Sequence, residues 1–281
     1  FDVNAFDYIV KPIEQKRLER TITKAFIKQT RQKSSNYNKP KHNISVYCLG
    51  SLDVLNKDFE RIKWISAKSE EVFFYLLLNH GRFISRYVLM EEIFGHMALK
   101  NAKTYLNTAI YQIRKSLDPH GMKDAIVSYT DGYALELKDV YMDLLEFENR
   151  INQTNKHFNE LTLNYMIETE RIYRGDLFYD KPYIWALPIR ERFFELYINF
   201  AKKFTSWLLK LNHIDEAANI IKKLVKMNEL DEEINCLLLQ MYAIQKDKTS
   251  LTKQYKSYEN LLKKEIGDKP TKNIVNIYNE L

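Results

Sequence analysis

The stretch from Lys100 to Leu117 carries hydroxyls, amides and cations but no carboxylate. At 100° per residue its apolar residues fall on one narrow stripe, which predicts a helix packed on a core by Leu106, Ile110, Ile113 and Leu117. The remaining groups are those that contact phosphates and base edges, so they predict a helix that reads the major groove of double-stranded DNA. The residues expected to do so are Lys100, Lys103, Thr104, Asn107, Thr108, Tyr111, Gln112, Arg114 and Lys115. The plainer alternative is a solvated helix face.

Strand and helix signals on both sides predict the frame that positions this helix. Two alternating stretches, 44–49 and 52–55, surround Gly50-Ser51 and are typical of strands around a turn. One helix is predicted from an N-cap at Ser66 to Gly81, and a second from Ser85 to Gly95. After the third helix, Asp131-Gly132 between two alternating stretches predicts a two-residue hairpin. We expect Thr130 and Gly132 in this hairpin to lie near an adjacent minor groove.

From Asp139 onward the strand signals end and helical patterns follow one another. Helices of this length with short turns favour a TPR-like helical-repeat domain, with an irregular helical bundle as the alternative. The predicted helices span 143–154, 158–174, 189–211, 214–227, 230–245, 248–266 and 271–281.

The net charge of +6 is concentrated near the start of the chain. Residues 14–41 hold nine lysines and arginines against only Glu14 and Glu19, which is typical of a segment near a polyanion and also of a solvated helix with a linker. Apolar runs are too short for a membrane span, and the two cysteines have neither metal nor disulfide spacing. These features predict a cytoplasmic protein. Because the first residue is Phe1, we expect the chain to be a fragment.

The sequence contains no recognisable motif of a catalytic site. Glycine-rich phosphate loops and paired metal-ligand histidines are both absent, so we expect no metal, no cofactor and no enzyme activity. Paired carboxylates such as Glu70-Glu71 are typical of solvated helix faces. Trp185 and its aromatic neighbours could line a ligand cleft, which would make the protein a ligand sensor, although aromatic residues at helical spacing favour a core.

The opening residues resemble the end of a response-regulator receiver domain. The stretch from Phe6 to Ile13 predicts a short buried strand that is ended by Pro12, directly after Lys11. A helical pattern follows from Ile13. The resemblance implies that Lys11 contacts a phosphoryl group and that a sensor histidine kinase is the partner of a complete receiver. The phosphoacceptor aspartate of that family has no match here.

Two further resemblances cover most of the remaining chain. The third helix and the Gly132-Tyr133 hairpin resemble the recognition helix and wing of the OmpR-type winged helix, with Tyr111 and Gln112 where that family carries an arginine. Residues 172–177, Trp185 and 262–267 resemble the bacterial transcriptional activator domain of SARP-type regulators. This resemblance implies that the helical domain mediates self-association, such as a homodimer on DNA, or contacts partners such as RNA polymerase.

These observations predict an α+β protein with a receiver remnant, a winged helix with flanking strands and an all-α domain. The predicted boundaries are 1–30 for the receiver fragment, 31–42 for the linker, 43–138 for the winged helix and 139–281 for the helical domain. The predicted function is that of a sequence-specific transcription regulator of two-component type, and residues 43–138 are expected to fold and bind DNA alone. The alternative is a protein–protein scaffold that uses its helical repeats.

Overall fold

The computed structural model describes residues 42–158 and 162–279. The receiver-like segment, Lys11 and the linker up to residue 41 lie outside the described residues. Two small sheets and three helices come first, and a run of helices follows. The predicted α+β order of a winged helix and a helical domain is therefore confirmed.

The first half alternates short strands with three helices. Its elements are β1 (Ile44–Tyr47), β2 (Asp53–Asn56), α1 (Ala67–Leu78), β3 (Ile84–Ser85), α2 (Arg86–Phe94), α3 (Leu99–Leu117), β4 (Ile126–Ser128), β5 (Gly132–Leu135) and β6 (Val140–Met142). The second half is helical. Its elements are α4 (Asp143–His157), α5 (Leu163–Ile172), α6 (Leu187–Lys210), α7 (Ile214–Met227), α8 (Glu232–Ile244), α9 (Lys248–Glu265) and α10 (Lys272–Asn279).

Side-chain caps fix where the first two helices begin. The Ser66 hydroxyl accepts from the backbone N–H of Ser69, and the Ser69 hydroxyl accepts in return from the Ser66 N–H. Ser85 accepts from the N–H of Val88 at the start of α2. Each cap satisfies an N–H group that has no partner inside the helix. The predicted N-cap at Ser66 is therefore confirmed, and the second helix begins after Ser85 as predicted.

One strand contradicts the expectation that strand signals end at Asp139. β6 pairs in parallel with β1, in the register Ile44↔Val140 to Val46↔Met142, and completes the sheet β2-β1-β6. A three-residue strand gives too few alternations to be recognised from sequence, and its partner lies almost a hundred residues away. The hydrogen-bonded sheet thus crosses the predicted boundary at 138/139.

The second hairpin turns one residue earlier than its sequence predicts. Ser128 pairs with Tyr133, and the N–H of Tyr129 donates to the Gly132 carbonyl, so Thr130 and Asp131 occupy the turn. Gly132 is instead a buried strand residue. A Cβ on it would lie 2.2 Å from the Ile84 carbonyl oxygen and against the Phe83 ring. Glycine is required there by close packing between β3 and β5, not by the turn.

The described residues from Ile44 onward form one compact unit. Rings of α1 meet rings of the segment 174–186, with Phe74 and Phe178 at 5.3 Å and Tyr75 and Trp185 at 5.0 Å between centroids. A single cluster of buried apolar side chains runs through both halves, from Ile44 to Met241. The division into two domains remains a prediction, but the core on either side of it is shared. No helix in the described ranges is long and apolar enough to cross a membrane.

A buried carboxylate ties the end of β1 to the start of α4. Asp143, the first residue of α4, accepts hydrogen bonds from the N–H groups of Cys48 and Leu49 at 2.9 and 3.1 Å. Its other contacts are the Cys48 thiol and the guanidinium of Arg174 at 2.8 Å. Burial, together with the Asp143 charge, holds the pKa of the Cys48 thiol well above its usual range. The thiol is therefore a hydrogen-bond donor and not a reactive thiolate.

Candidate DNA interface

Helix α3 presents an exposed polar face opposite its buried stripe. Its apolar residues pack against α1 and α2, and the stripe Leu106, Ile110, Ile113 and Leu117 is at most 3% exposed. The opposite side chains are exposed, with 64% of Tyr111 accessible to solvent. They follow the spacing i, i+4, i+7 and i+11, which keeps them on one face. The residues of this outward face are Thr104, Thr108, Tyr111 and Lys115.

The two threonines of the outward face have their hydroxyl protons engaged within α3. Thr104 Oγ1 donates to the Lys100 carbonyl at 3.2 Å, and Thr108 Oγ1 donates to the Thr104 carbonyl at 3.0 Å. Each hydroxyl can still accept a hydrogen bond through its oxygen lone pairs. Each of the two threonines can also contact a ligand through its γ-methyl group.

One flank of α3 is fastened to the hairpin of β4 and β5. The guanidinium of Arg114 donates from Nη2 to the Ile126 carbonyl at 2.9 Å and to the Ser128 hydroxyl at 2.8 Å. The Tyr133 hydroxyl donates to Asn107 Oδ1 at 3.3 Å. Arg114 and Asn107 were both predicted to contact DNA. In the structure they hold the hairpin against the helix, while Lys100 and Lys103 on the same side are exposed.

The other flank of α3 lies against the start of α1. Ser66 Oγ donates to Gln112 Oε1 at 2.6 Å, so the amide of Gln112, also predicted to contact DNA, is half-buried at this junction. Beside it Tyr105 is 54% exposed, and its ring stacks on Phe94 with centroids 6.4 Å apart. Sequence reasoning missed Tyr105. Its exposure could have been predicted from the sequence, because this aromatic residue lies off the apolar stripe of α3.

The hairpin tip contributes Thr130 to the exposed surface but not Gly132. Thr130 is exposed, whereas Gly132 lies against the Phe83 ring and is buried. The backbone N–H of Arg86 donates to the Asp131 carbonyl at 2.8 Å and fixes the tip against the start of α2. The turn therefore has a defined position beside the start of α2.

The aromatic group around Trp185 is packed between the two halves. Trp185 Nε1 donates to Glu71 Oε1 of α1 at 3.2 Å, and its ring stacks on Tyr183 at 5.5 Å. Tyr183 is buried, and its hydroxyl lies 3.3 Å from Glu70 Oε2. Burial and the nearby carboxylates of α1 raise the pKa of Tyr183. These side chains form part of the shared core. Of the two interpretations of this aromatic pattern, a ligand cleft and a core, the structure supports the core.

Two protein families match successive parts of the chain. The model described as "Transcriptional regulatory protein, C terminal" matches residues 63–135, which include α1, α2, α3 and the hairpin. The model described as "Bacterial transcriptional activator domain" matches residues 142–281. Together they cover most of the described residues. No curated protein sequence matches the chain.

A solved structure supports the fold over a longer range. The chain is similar to Mycobacterium tuberculosis EmbR in complex with a low-affinity phosphopeptide, with a TM-score of 0.69 and 15% sequence identity. The match covers 85% of this chain and 64% of the EmbR chain. At this identity the likeness supports the fold alone. The two family matches, in this order along the chain, show a transcription regulator of the SARP type, in which an OmpR-type DNA-binding domain precedes a bacterial transcriptional activator domain.

Proposed function

We propose that the protein binds specific DNA sequences by placing α3 in the major groove. The observation that carries this proposal is the exposed, carboxylate-free outward face of α3. Thr108 and Tyr111, near its middle, are assigned to base edges. Lys103 on the flank and Lys115 near the C-terminal end are assigned to phosphates, because ammonium groups at the rim of a helix meet the backbone first. Thr130 brings the hairpin toward an adjacent minor groove.

The helical half then links DNA binding to other proteins. We assign to it self-association on DNA or contact with RNA polymerase, and we propose that a complete receiver before the linker makes the protein a two-component response regulator controlled by a sensor histidine kinase. Lys11 has its proposed role in that receiver. Because β6, Asp143 and the segment 174–186 join the halves, the helical domain would be held at a fixed orientation to the bound operator.

The experiment begins with selection of binding sequences from genomic fragments and then measures affinity against salt for single variants. Each phosphate contact contributes about 0.9 to the slope of log K against log salt. Lys103→Ala and Lys115→Ala should each lower the slope by about that amount and weaken all sequences equally. Thr108→Ala and Tyr111→Ala should keep the slope and reduce discrimination by about 1–3 kcal/mol. Lys222→Ala, an exposed lysine of α7, is the charge-matched control.

Two results would contradict the proposal. The first is a chain that binds no duplex, which would favour the scaffold function for the helical repeats. The second is a set of lysine variants with the wild-type slope together with threonine and tyrosine variants of wild-type specificity, because α3 would then be a solvated face.

A further inference from the structure

An open cleft lies at the C-terminal end of α3. The segment between β2 and α1 supplies one wall through Glu60, Arg61 and Lys63, and the end of α3 with the turn after it supplies Lys115 and His120. Lys115 belongs to both the cleft and the outward face of α3. The cleft is therefore continuous with the surface that the proposed function assigns to DNA.

Cations outnumber carboxylates among the side chains that line this cleft. Lys63 and Lys115 are exposed and form no ion pair with another described residue. Arg61 is 61% exposed at its side chain and pairs with Asp53. Glu60 is the only carboxylate lining the cleft, and it accepts a hydrogen bond from Asn56 Nδ2 at 3.1 Å. The cleft thus presents more positive than negative charge, with two ammonium groups unpaired.

The orientation of one amide sets the tautomer of His120. Asn56 Oδ1 accepts from the N–H groups of Asp58 and Glu60 at 2.9 and 2.8 Å, which fixes Nδ2 as the atom that lies 3.0 Å from His120 Nδ1. An amide nitrogen only donates, so Nδ1 of His120 accepts and a neutral ring carries its proton on Nε2. The imidazole that lines the cleft therefore keeps an N–H donor available.

We propose that this cleft binds a phosphate of the DNA backbone on the side of α3 away from the hairpin. A helix in the major groove lies between two phosphate backbones, and the hairpin is fastened to only one flank of α3, through Arg114. The opposite flank borders Ser66 and the segment that leads into it, where Lys63 stands. Lys63, Lys115 and Nε2 of His120 supply donors of the kind that phosphate oxygens accept. The inference rests on the proposed function.

The test measures the salt dependence of duplex binding for Lys63 variants of the full chain. Lys63→Ala should lower the slope of log K against log salt by about 0.9, on selected and scrambled duplexes alike. Lys63→Arg keeps the charge and should restore the wild-type slope. Lys222→Ala removes an exposed lysine of α7 and should leave the slope unchanged. A Lys63→Ala slope equal to that of Lys222→Ala, in a variant whose circular dichroism is native, would overturn the inference.

A second measurement separates a DNA phosphate from a free anion. Thermal unfolding is compared in inorganic phosphate and in chloride of equal ionic strength. One outcome is that phosphate stabilises the wild type but not Lys63→Ala, while the two proteins show the same slope of log K against log salt for duplex binding. The cleft is then a free-anion site, and its assignment to a DNA phosphate is wrong. If Lys115→Ala and Thr108→Ala behave as expected but Lys63→Ala does not change the slope, only this inference fails. If the wild type binds no duplex, the proposed function fails first.

Discussion

At the scale of single residues, the polar side chains of α3 divide into those that are exposed on the outward face and those that bind neighbouring elements. The helical wheel predicts the buried stripe and the outward face correctly, because both depend only on the 100° step. It cannot tell which neighbours cover each flank. Arg114 and Asn107 are occupied by the hairpin and Gln112 by Ser66, and these partners lie 12 to 46 positions away in the sequence. Such contacts depend on tertiary packing, which no local pattern encodes.

The γ-methyl group of Thr108 is more available to a ligand than its hydroxyl proton. Its Oγ1 proton is donated to the Thr104 carbonyl, so we expect the γ-methyl to contact the methyl group of a thymine. Thr108→Val keeps that methyl and should retain discrimination between operator and scrambled duplex. Thr108→Ser keeps only the hydroxyl and should reduce discrimination by about 1 kcal/mol.

Uracil replacement of single operator thymines provides the control for Thr108, because it removes the base methyl and leaves pairing intact. One uracil position should weaken the wild type and Thr108→Val but have no effect on Thr108→Ser. If serine retains full discrimination and valine loses it, Thr108 acts through its oxygen instead.

At the scale of elements, the structure departs from the sequence-based prediction where a contact joins distant segments. Helices α4 to α10 follow the predicted order and begin or end within a few residues of the predicted limits, because their amphipathic patterns are long. β6 is too short to be predicted. The segment after α5 contains one short 3-10 helix, Ile184–Ala186, which its sequence did not predict. Before that helix, Leu49 forms a β-bridge with Leu177, and Gly50 N–H donates to the Asp176 carbonyl at 3.0 Å.

The junction of these elements depends on Arg174, whose guanidinium pairs with the buried carboxylate of Asp143. Arg174→Ala would leave that charge without its only cationic partner among the described residues. A fully buried pair costs roughly 3–5 kcal/mol to break, and we expect about 2–3 kcal/mol because the Arg174 side chain is 35% exposed. Urea unfolding of the full chain measures the loss.

Arg171→Ala, which removes an exposed arginine of α5, is the matched control for Arg174→Ala and should change stability little. In the Asp143→Asn background, Arg174→Ala should cost clearly less, since no buried charge is left unpaired. Equal losses in both backgrounds would show that Arg174 stabilises the junction through its contact with the Tyr47 ring rather than through its ion pair with Asp143.

At the scale of the whole molecule, the order of the parts could be predicted but their independence could not. Composition, helical periodicity and the resemblance of three motifs were sufficient for an α+β regulator with a helical second half. The sequence-based expectation that residues 43–138 fold alone assumed that each half has its own core. The shared cluster of buried side chains and the pairing of β1 with β6 contradict that assumption.

Removing residues 139–281 should therefore prevent cooperative folding of the remaining fragment. Phe74 and Leu49 are 0% exposed in the full chain. Each would lose its contacts with the segment 174–186, a part of the about 1.5–3 kcal/mol that full burial of such a side chain contributes. The β1–β6 pairing and the two N–H bonds to Asp143 are lost as well, at about 0.5–1.5 kcal/mol for each hydrogen bond. These losses approach the total stability of a typical domain, about 5–15 kcal/mol.

The comparison for this prediction is residues 43–138 against residues 43–281. Urea unfolding is followed by circular dichroism, and a dye that binds exposed apolar surface is added to each. We expect the longer chain to unfold in one sharp transition and the fragment to show a broad transition with strong dye binding. A sharp transition for the fragment at comparable urea concentration would mean that the winged helix holds its core without α4 and the segment 174–186. The halves would then contact each other without depending on each other, and the fixed orientation inferred for the helical domain would lose its physical basis.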